Sequence, residues 1–138
     1  MQLLRMKLWK KSGTLLIATG IIHNAVGLLA GWPVLASMAA AGFVNTIGPG
    51  TAEMDRNAIF WFLFSGFLML LLGKMMQDAI KLRQQPVPAY LGYCLLLLSV
   101  AGCLIMPASG FWLVLPQAVL IIYANRKARP AVAEGMAA

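Results

Sequence analysis

Acidic residues are scarce in this sequence, and their positions exclude one common kind of membrane site. Four Asp and Glu residues stand against eleven Lys and Arg residues. All four acidic residues fall outside the long apolar runs: Glu53, Asp55, Asp78 and Glu134. Small multidrug-type carriers usually depend on a carboxylate inside the bilayer, so this absence argues against that class.

Cysteine and histidine are also rare. Cys94 and Cys103 lie nine residues apart on one predicted helix, about 13 Å apart along its axis and on roughly opposite faces, so they cannot form a disulfide with each other. The chain has a single histidine, His23. No spacing typical of metal ligands surrounds the cysteines, and we predict no metal and no cofactor.

Apolar residues dominate what remains. The chain is 61% hydrophobic and 11% charged, with a mean hydropathy of +0.81, as is typical of integral membrane proteins. Residues 57–73 contain no charge and lie between Arg56 and Lys74. As a helix this run is about 26 Å long, close to the thickness of the hydrocarbon core of a bilayer. We predict a transmembrane helix here.

The same reasoning predicts an all-α fold, an antiparallel bundle of four transmembrane helices in one integral membrane domain covering residues 1–138. The predicted helices are 12–32, 57–77, 89–106 and 111–125, with an outer loop at 33–56 and a loose tail at 130–138. The first run is too long for a usual signal peptide and contains His23 and Asn24, so we expect an uncleaved anchor. Residues 34–44 would span only about 16 Å as a helix, which favours a re-entrant or interfacial segment over a fifth span.

The basic residues support this topology. Four Lys and Arg residues precede the first run, three follow the second and three follow the last, so ten of the eleven fall on one side. The exception is Arg56. Loops rich in Lys and Arg stay in the cytoplasm, so both termini are predicted there and the lipid bilayer is the predicted partner. The Lys and Arg residues cluster beside the predicted spans, which also argues against nucleic acid as the partner of this basic chain.

Small residues indicate which helix faces pack together. Gly13, Gly20 and Gly27 recur at seven-residue spacing, and such residues let transmembrane helices approach closely. His23 lies three residues after Gly20 and four before Gly27, on the same face. We therefore expect the histidine to point into the bundle.

Four polar side chains, one from each predicted span, fall at a similar depth. His23, Ser65, Ser99 and Gln117 each lie roughly 10 to 12 Å below the outer boundary at 1.5 Å per residue. Pro116 adds a carbonyl without its usual helical partner. Two interpretations remain open: the four side chains form a polar site in the bundle, or each is satisfied within its own helix or between helices.

The outer loop contains the charged and polar residues predicted on the side of the membrane opposite the Lys and Arg clusters. Asp55 suits a capping position of the second predicted helix, whereas Arg56 and Asn45 could instead form a lid that holds a polar head group. Aromatic residues occur at the same outer level, Trp61 with its neighbours and Trp112 with Phe111. They are typical of an interfacial belt, and they could equally wall an apolar pocket.

These residues resemble a family of small four-helix bacterial membrane proteins known only as a domain of unknown function. The matching patterns are Gly20-x-x-His23, Phe43-x-Asn45-Thr-x-Gly48, Arg56 followed by Phe60-Trp61-Phe62 and Gly66, and Pro107-x-Ser109-Gly110-Phe111-Trp112-x-x-x-Pro116. The resemblance implies the four-helix fold, a place in the bacterial inner membrane, and a family pattern that includes His23, Asn45, Arg56 and Trp61. It implies no activity. A looser similarity to DoxX-like proteins, associated with quinone or redox partners, concerns the fold alone.

Three functional hypotheses follow. The first is a protein that binds or carries a small lipophilic molecule or lipid in an outward-facing pocket. Its predicted ligand-binding residues are His23, Asn45, Arg56, Trp61, Ser65, Ser99, Trp112 and Gln117. The second is a membrane enzyme that uses His23 as acid or base on a lipophilic substrate, although no nucleophile or orienting carboxylate lies beside it in sequence. The third is a small-molecule transporter that works as a homo-oligomer.

Overall fold

The computed structural model describes residues 8–48 and 54–135, with side chains as far as residue 126. Every regular element in these ranges is helical, which confirms the all-α prediction. One 3₁₀ turn, Trp9–Lys11, precedes five α-helices: α1 (Ser12–Ala30), α2 (Trp32–Ala40), α3 (Met54–Arg83), α4 (Ala89–Ile105) and α5 (Phe111–Gly135).

Two of these helices are long and apolar enough to cross a membrane. They are Trp9–Ala30, counted with its preceding turn, and Met54–Arg83. Ala89–Ile105 and Phe111–Arg126 are shorter apolar helices. The outward faces of the helices carry large side chains that are more than two thirds exposed, such as Leu29 on α1 and Leu97 and Leu104 on α4.

The helix α3 is longer than the predicted span at 57–77. It begins at Met54, which places Asp55 in its first turn, where a carboxylate complements the helix dipole. It ends at Arg83, so much of the predicted cytoplasmic turn is helical. Residues 78–83 contain neither glycine nor proline, and Lys74 forms an ion pair with Asp78 one turn later. The helix stops shortly before Pro86.

The last helix also differs from the prediction of an end near residue 125 and a loose tail from Pro130. In the structure α5 continues through Pro130 to Gly135. The alanines of this tail are strong helix formers, and this preference is not visible in a search for apolar spans. Residues 136–138 of the predicted tail lie outside the described residues.

The segment predicted to be re-entrant or interfacial contains the short helix α2. Its nine residues extend about 14 Å, too little to cross a bilayer. Its end is a Schellman motif, in which the Phe43 amide donates to the Met38 carbonyl at 2.9 Å and the Gly42 amide to the Ala39 carbonyl at 3.0 Å. Gly42 has a φ of 84°, the left-handed conformation that this motif needs.

The helices α1 and α3 form an antiparallel pair whose backbones approach closely at glycines. A Cβ on Gly13 would lie 2.5 Å from the Gln77 amide nitrogen and 2.5 Å from the Gly73 carbonyl oxygen. Further along, Gly20 faces Gly66. These glycines are part of the seam predicted from the seven-residue spacing, and the seam joins α1 to α3.

The helices α4 and α5 form the second antiparallel pair, connected by the turn at 106–110. The two pairs meet chiefly where α1 contacts α5. All four long helices contribute to one buried apolar cluster, which extends from the end of the molecule that contains Lys10 and Lys81 as far as Val114. Its members are Leu16, Met76, Ile80, Val87, Leu95, Val114, Ala118 and Ile121. This cluster holds the four helices together at that end.

Candidate functional site

A cavity of about 390 Å³ lies at the other end of the assembly, between α1, α3, α5 and the turn at 106–110. Most of its wall is apolar, and four polar side chains interrupt it. The lining residues are Thr19, Ile22, His23, Val26, Phe62, Ser65, Met69, Met106, Ala108, Ser109, Gly110, Phe111, Leu113 and Val114. A volume of this size lies within the range of about 300 to 1,000 Å³ typical of pockets for small molecules.

His23 and Ser65 come together on this wall, as their similar predicted depth suggested. The His23 Nε2 atom lies 2.9 Å from the carbonyl oxygen of Phe62 and 3.1 Å from the Ser65 Oγ atom. Ser65 itself donates to the Phe62 carbonyl at 2.8 Å. The imidazole stacks on the Phe62 ring, with 3.8 Å between centroids and an interplanar angle of 11°. The histidine is thus held by one turn of α3.

Gln117 and Thr19 link the two helix pairs beside the cavity. The Gln117 Nε2 atom donates to the Thr19 Oγ1 atom at 2.7 Å and to the Leu113 carbonyl at 3.0 Å. Thr19 in turn donates to the Leu15 carbonyl at 3.0 Å. The Gln117 Oε1 atom is buried and has no hydrogen-bond partner among the described residues. Thr19 lines the cavity, whereas Gln117 lies behind it.

The turn between α4 and α5 forms the outer part of the cavity wall. The Trp112 Nε1 atom donates to the Pro107 carbonyl at 2.8 Å, which ties the start of α5 to the turn. Between them, the Ser109 Oγ atom is buried and, within the described part of the chain, lacks a hydrogen-bond partner. Ser109 belongs to the cavity wall, but this oxygen is not accessible from the cavity.

Several residues predicted for the site do not line the cavity. Ser99 is fully buried and donates to the Leu96 carbonyl of its own helix at 3.0 Å. Arg56 donates to the Thr46 carbonyl at 3.0 Å, so it fastens the outer loop to α3, and Asn45 is exposed with a φ of 54°. Trp61 and Trp112 are both more than half exposed. The aromatic residues that do line the cavity are Phe62 and Phe111.

Of the fourteen lining residues, only His23 and Ser65 were among the predicted site residues, and two of the others lie one helical turn from these. Thr19 lies four residues before His23, and Met69 lies four residues after Ser65. Side chains four residues apart share one face of a helix, so both could have been found by extending the predicted site by one turn. Met69 is one of nine methionines in the chain, and Thr19 stands in an apolar run, so neither attracts notice by residue type alone.

The described residues contain no group of three His, Cys, Asp or Glu side chains that could hold a metal ion. Both cysteines are free, with Cys94 exposed and Cys103 buried. The chemistry available at the cavity is therefore that of neutral hydrogen-bonding groups on an apolar wall.

Comparison with known proteins yields one match. The family described as "Family of unknown function (DUF6463)" matches residues 7–128, which include the whole cavity. No curated protein and no solved structure matches the chain.

Proposed function

The chain belongs to the family of unknown function DUF6463, and from the geometry of its cavity we propose that it is a membrane protein that binds or carries a small lipophilic molecule. The observation that supports this proposal is the cavity of about 390 Å³ itself. Lining side chains such as Ile22 and Val26 are about half exposed, so the cavity opens to the surroundings of the helices. An apolar cavity that opens to the hydrocarbon of a bilayer can be entered and filled by a lipophilic molecule.

We propose a multi-pass topology in a bacterial inner membrane, with four spans and both termini in the cytoplasm. The outward faces of the helices support it, because soluble proteins rarely expose apolar surface as continuous as that around Leu97 and Leu104. The charges point the same way. Among the described residues, Lys10 and Lys81 lie at one end with the other basic side chains, while Arg56 lies at the opposite end. The cavity then opens in the outer half of the bilayer.

A second candidate function is an enzyme, because a serine and a histidine are in contact on the cavity wall. A serine nucleophile needs its hydroxyl hydrogen directed at an unprotonated ring nitrogen. Here the Ser65 hydroxyl donates to the Phe62 carbonyl, and the ring nitrogen beside it, His23 Nε2, also faces that carbonyl. Since a carbonyl oxygen only accepts, this nitrogen is protonated and cannot act as the base. The geometry favours binding over catalysis.

Occupancy of the cavity can be tested by replacing a lining residue with a larger one that fills the space. Val26 lines the cavity, and Val100 is similarly accessible on α4 but does not line it. We expect wild-type protein, extracted gently from its membrane, to show a bound small molecule in native mass spectra. Val26→Phe should lose most of that bound species, because the larger ring occupies its space.

The matched variant Val100→Phe should retain the bound species at the wild-type level. Both variants should keep the helical circular dichroism of the wild type, so that a loss of binding is not a loss of folding. Protein that is uniformly empty after gentle extraction, or a Val26→Phe variant that carries as much of the small molecule as wild type, would rule out the proposal.

A further inference from the structure

The polar side chains of the cavity wall donate most of their hydrogen bonds to groups within the protein. Thr19 donates to the Leu15 carbonyl at 3.0 Å, and Ser65 donates to the Phe62 carbonyl at 2.8 Å. Each hydroxyl has one hydrogen to donate, so both are left with acceptor lone pairs alone. The remaining polar lining side chains are His23 and Ser109.

The tautomer of His23 follows from its contact with α3. The Nε2 atom lies 2.9 Å from the Phe62 carbonyl oxygen, which has no hydrogen to give. Nε2 therefore carries the proton, and in the neutral ring Nδ1 is an acceptor. Among the described residues Nδ1 has no hydrogen-bond partner. It is also absent from the buried atoms without a partner, so some of its surface is exposed. Nδ1 is consequently accessible, and His23 is one of the residues that line the cavity.

Charge is missing from this wall. None of the lining residues in the described part of the chain is Lys, Arg, Asp or Glu. Arg56, which lies at the same end of the molecule, donates to the Thr46 carbonyl and does not line the cavity. An ionised ligand would therefore be buried without an opposite charge, which is expensive in an apolar environment.

Resting on the proposed function, we infer that the ligand is an uncharged lipophilic alcohol or phenol whose hydroxyl donates a hydrogen bond to His23 Nδ1. The polar side chains of the described wall around His23 offer acceptors and no free hydrogen, so they favour a ligand that brings its own hydrogen. The Ser109 Oγ atom, at the turn, is buried and not accessible from the cavity, so it adds no side-chain donor to the described wall.

The single histidine makes this inference measurable, because ¹⁵N-labelled histidine gives one pair of ring-nitrogen signals for the whole chain. We would purify the full chain in lipid nanodiscs with a tag that contains no histidine, and label the methionine methyl groups with ¹³C. Met69 and Met106 line the cavity and report any occupant, whereas Met76 lies in the packed cluster and serves as the internal control. Met69→Leu and Met106→Leu assign the two signals.

Three probes of equal chain length would be titrated: decan-1-ol, decyl methyl ether and decanoate. We expect decan-1-ol to shift the Met69 and Met106 methyl signals and the unprotonated Nδ1 signal, without moving Met76. The ether should bind about tenfold more weakly, the difference expected for one hydrogen bond left unmade, and decanoate should bind more weakly still.

The outcomes separate the two proposals. Equal binding of alcohol and ether, strongest binding of decanoate, or a protonated Nδ1 would overturn the inferred ligand chemistry while leaving a binding cavity in place. If none of the probes moves the two lining methyl signals, the cavity binds no lipophilic molecule of this size, and the proposed function itself fails.

Discussion

The two ends of the helix assembly differ in how completely they are packed. At the basic end Leu16, Met76 and Ile121 are each at most 3% exposed, and all four long helices meet there. At the opposite end α1, α3, α5 and the turn at 106–110 leave an open cavity of about 390 Å³ between them. Protein interiors rarely leave voids larger than a water molecule, so the packed end shows that this chain can fill its core. We infer that the packed end holds the helices in place while the hollow end stays available for a ligand.

Two serines make the same point at the level of single residues. Ser65 and Ser99 each donate to the carbonyl three residues earlier in their own helix. Ser99 is fully buried between helices, so its hydroxyl is a satisfied structural group. Ser65 makes the same bond at the cavity wall, and its oxygen also contacts His23. The difference lies in what faces the residue and not in its local conformation.

The largest expected contrast comes from removing a leucine at each end. Leu16→Ala should lower the free energy of unfolding by roughly 2–5 kcal/mol, because it leaves a cavity in the packed cluster. Leu113→Ala should cost less than about 1 kcal/mol, since Leu113 is half exposed and already borders open space. Unfolding in dodecyl maltoside by added SDS, followed by circular dichroism, measures both. Equal losses would mean that the ends do not differ in packing.

A glycine at each end gives the next contrast. In Gly13→Ala the new methyl group would lie 2.5 Å from backbone atoms of α3, so the helices must separate. We expect a loss of about 1–3 kcal/mol in the same unfolding assay. A Cβ on Gly110, in the cavity wall, meets no atom within 4 Å, and Gly110→Ala should change stability by less than about 0.5 kcal/mol. A costly Gly110→Ala would indicate that the turn is packed after all.

The boundary between the two ends can be tested at Thr19 and Gln117. Thr19→Val removes the partner of a buried amide hydrogen and should cost about 1 kcal/mol. Gln117→Leu removes the amide together with its unpartnered Oε1 atom, so it should be close to neutral. The double variant should then resemble Gln117→Leu in the unfolding assay, because the Thr19 change costs stability only while the amide is present. Additive losses would show that the two side chains are not coupled.

How much of this could be predicted from the sequence depends on whether a feature is local. The long helices follow from uncharged runs, and the inward orientation of His23 follows from its place between Gly20 and Gly27 on one helix face. The predicted ends of α3 and α5 were wrong because hydropathy identifies only the apolar part of a helix. Where a helix ends depends on the helix propensity of its residues and on residues such as Pro86.

The sequence predicted the depth of the polar side chains in the bundle, but not which neighbouring helix each of them faces. Ser65 and Ser99 both lie at the level of His23 by residue counting, yet α3 pairs with α1 whereas α4 pairs with α5. Which helices pair is decided by contacts distant in sequence, and no spacing within one helix encodes it. For Arg56 the sequence left open a lid that holds a polar head group, and in the structure its guanidinium donates to the Thr46 carbonyl.

The smallest expected effect separates two tryptophans of nearly equal exposure, Trp61 on α3 and Trp112 on α5. Trp112→Phe loses the hydrogen bond to the Pro107 carbonyl that ties the cavity turn to α5, and should cost about 0.5 kcal/mol because Trp112 is more than half exposed. Trp61 makes edge contacts with Phe60 and Phe64, which a phenylalanine ring can largely keep, so Trp61→Phe should be nearly neutral. Thermal unfolding in detergent, recorded for both variants beside wild type, measures the difference. If Trp61→Phe costs as much as Trp112→Phe, the indole hydrogen bond does not hold the turn, and the outer wall of the cavity depends on aromatic packing at the membrane interface instead.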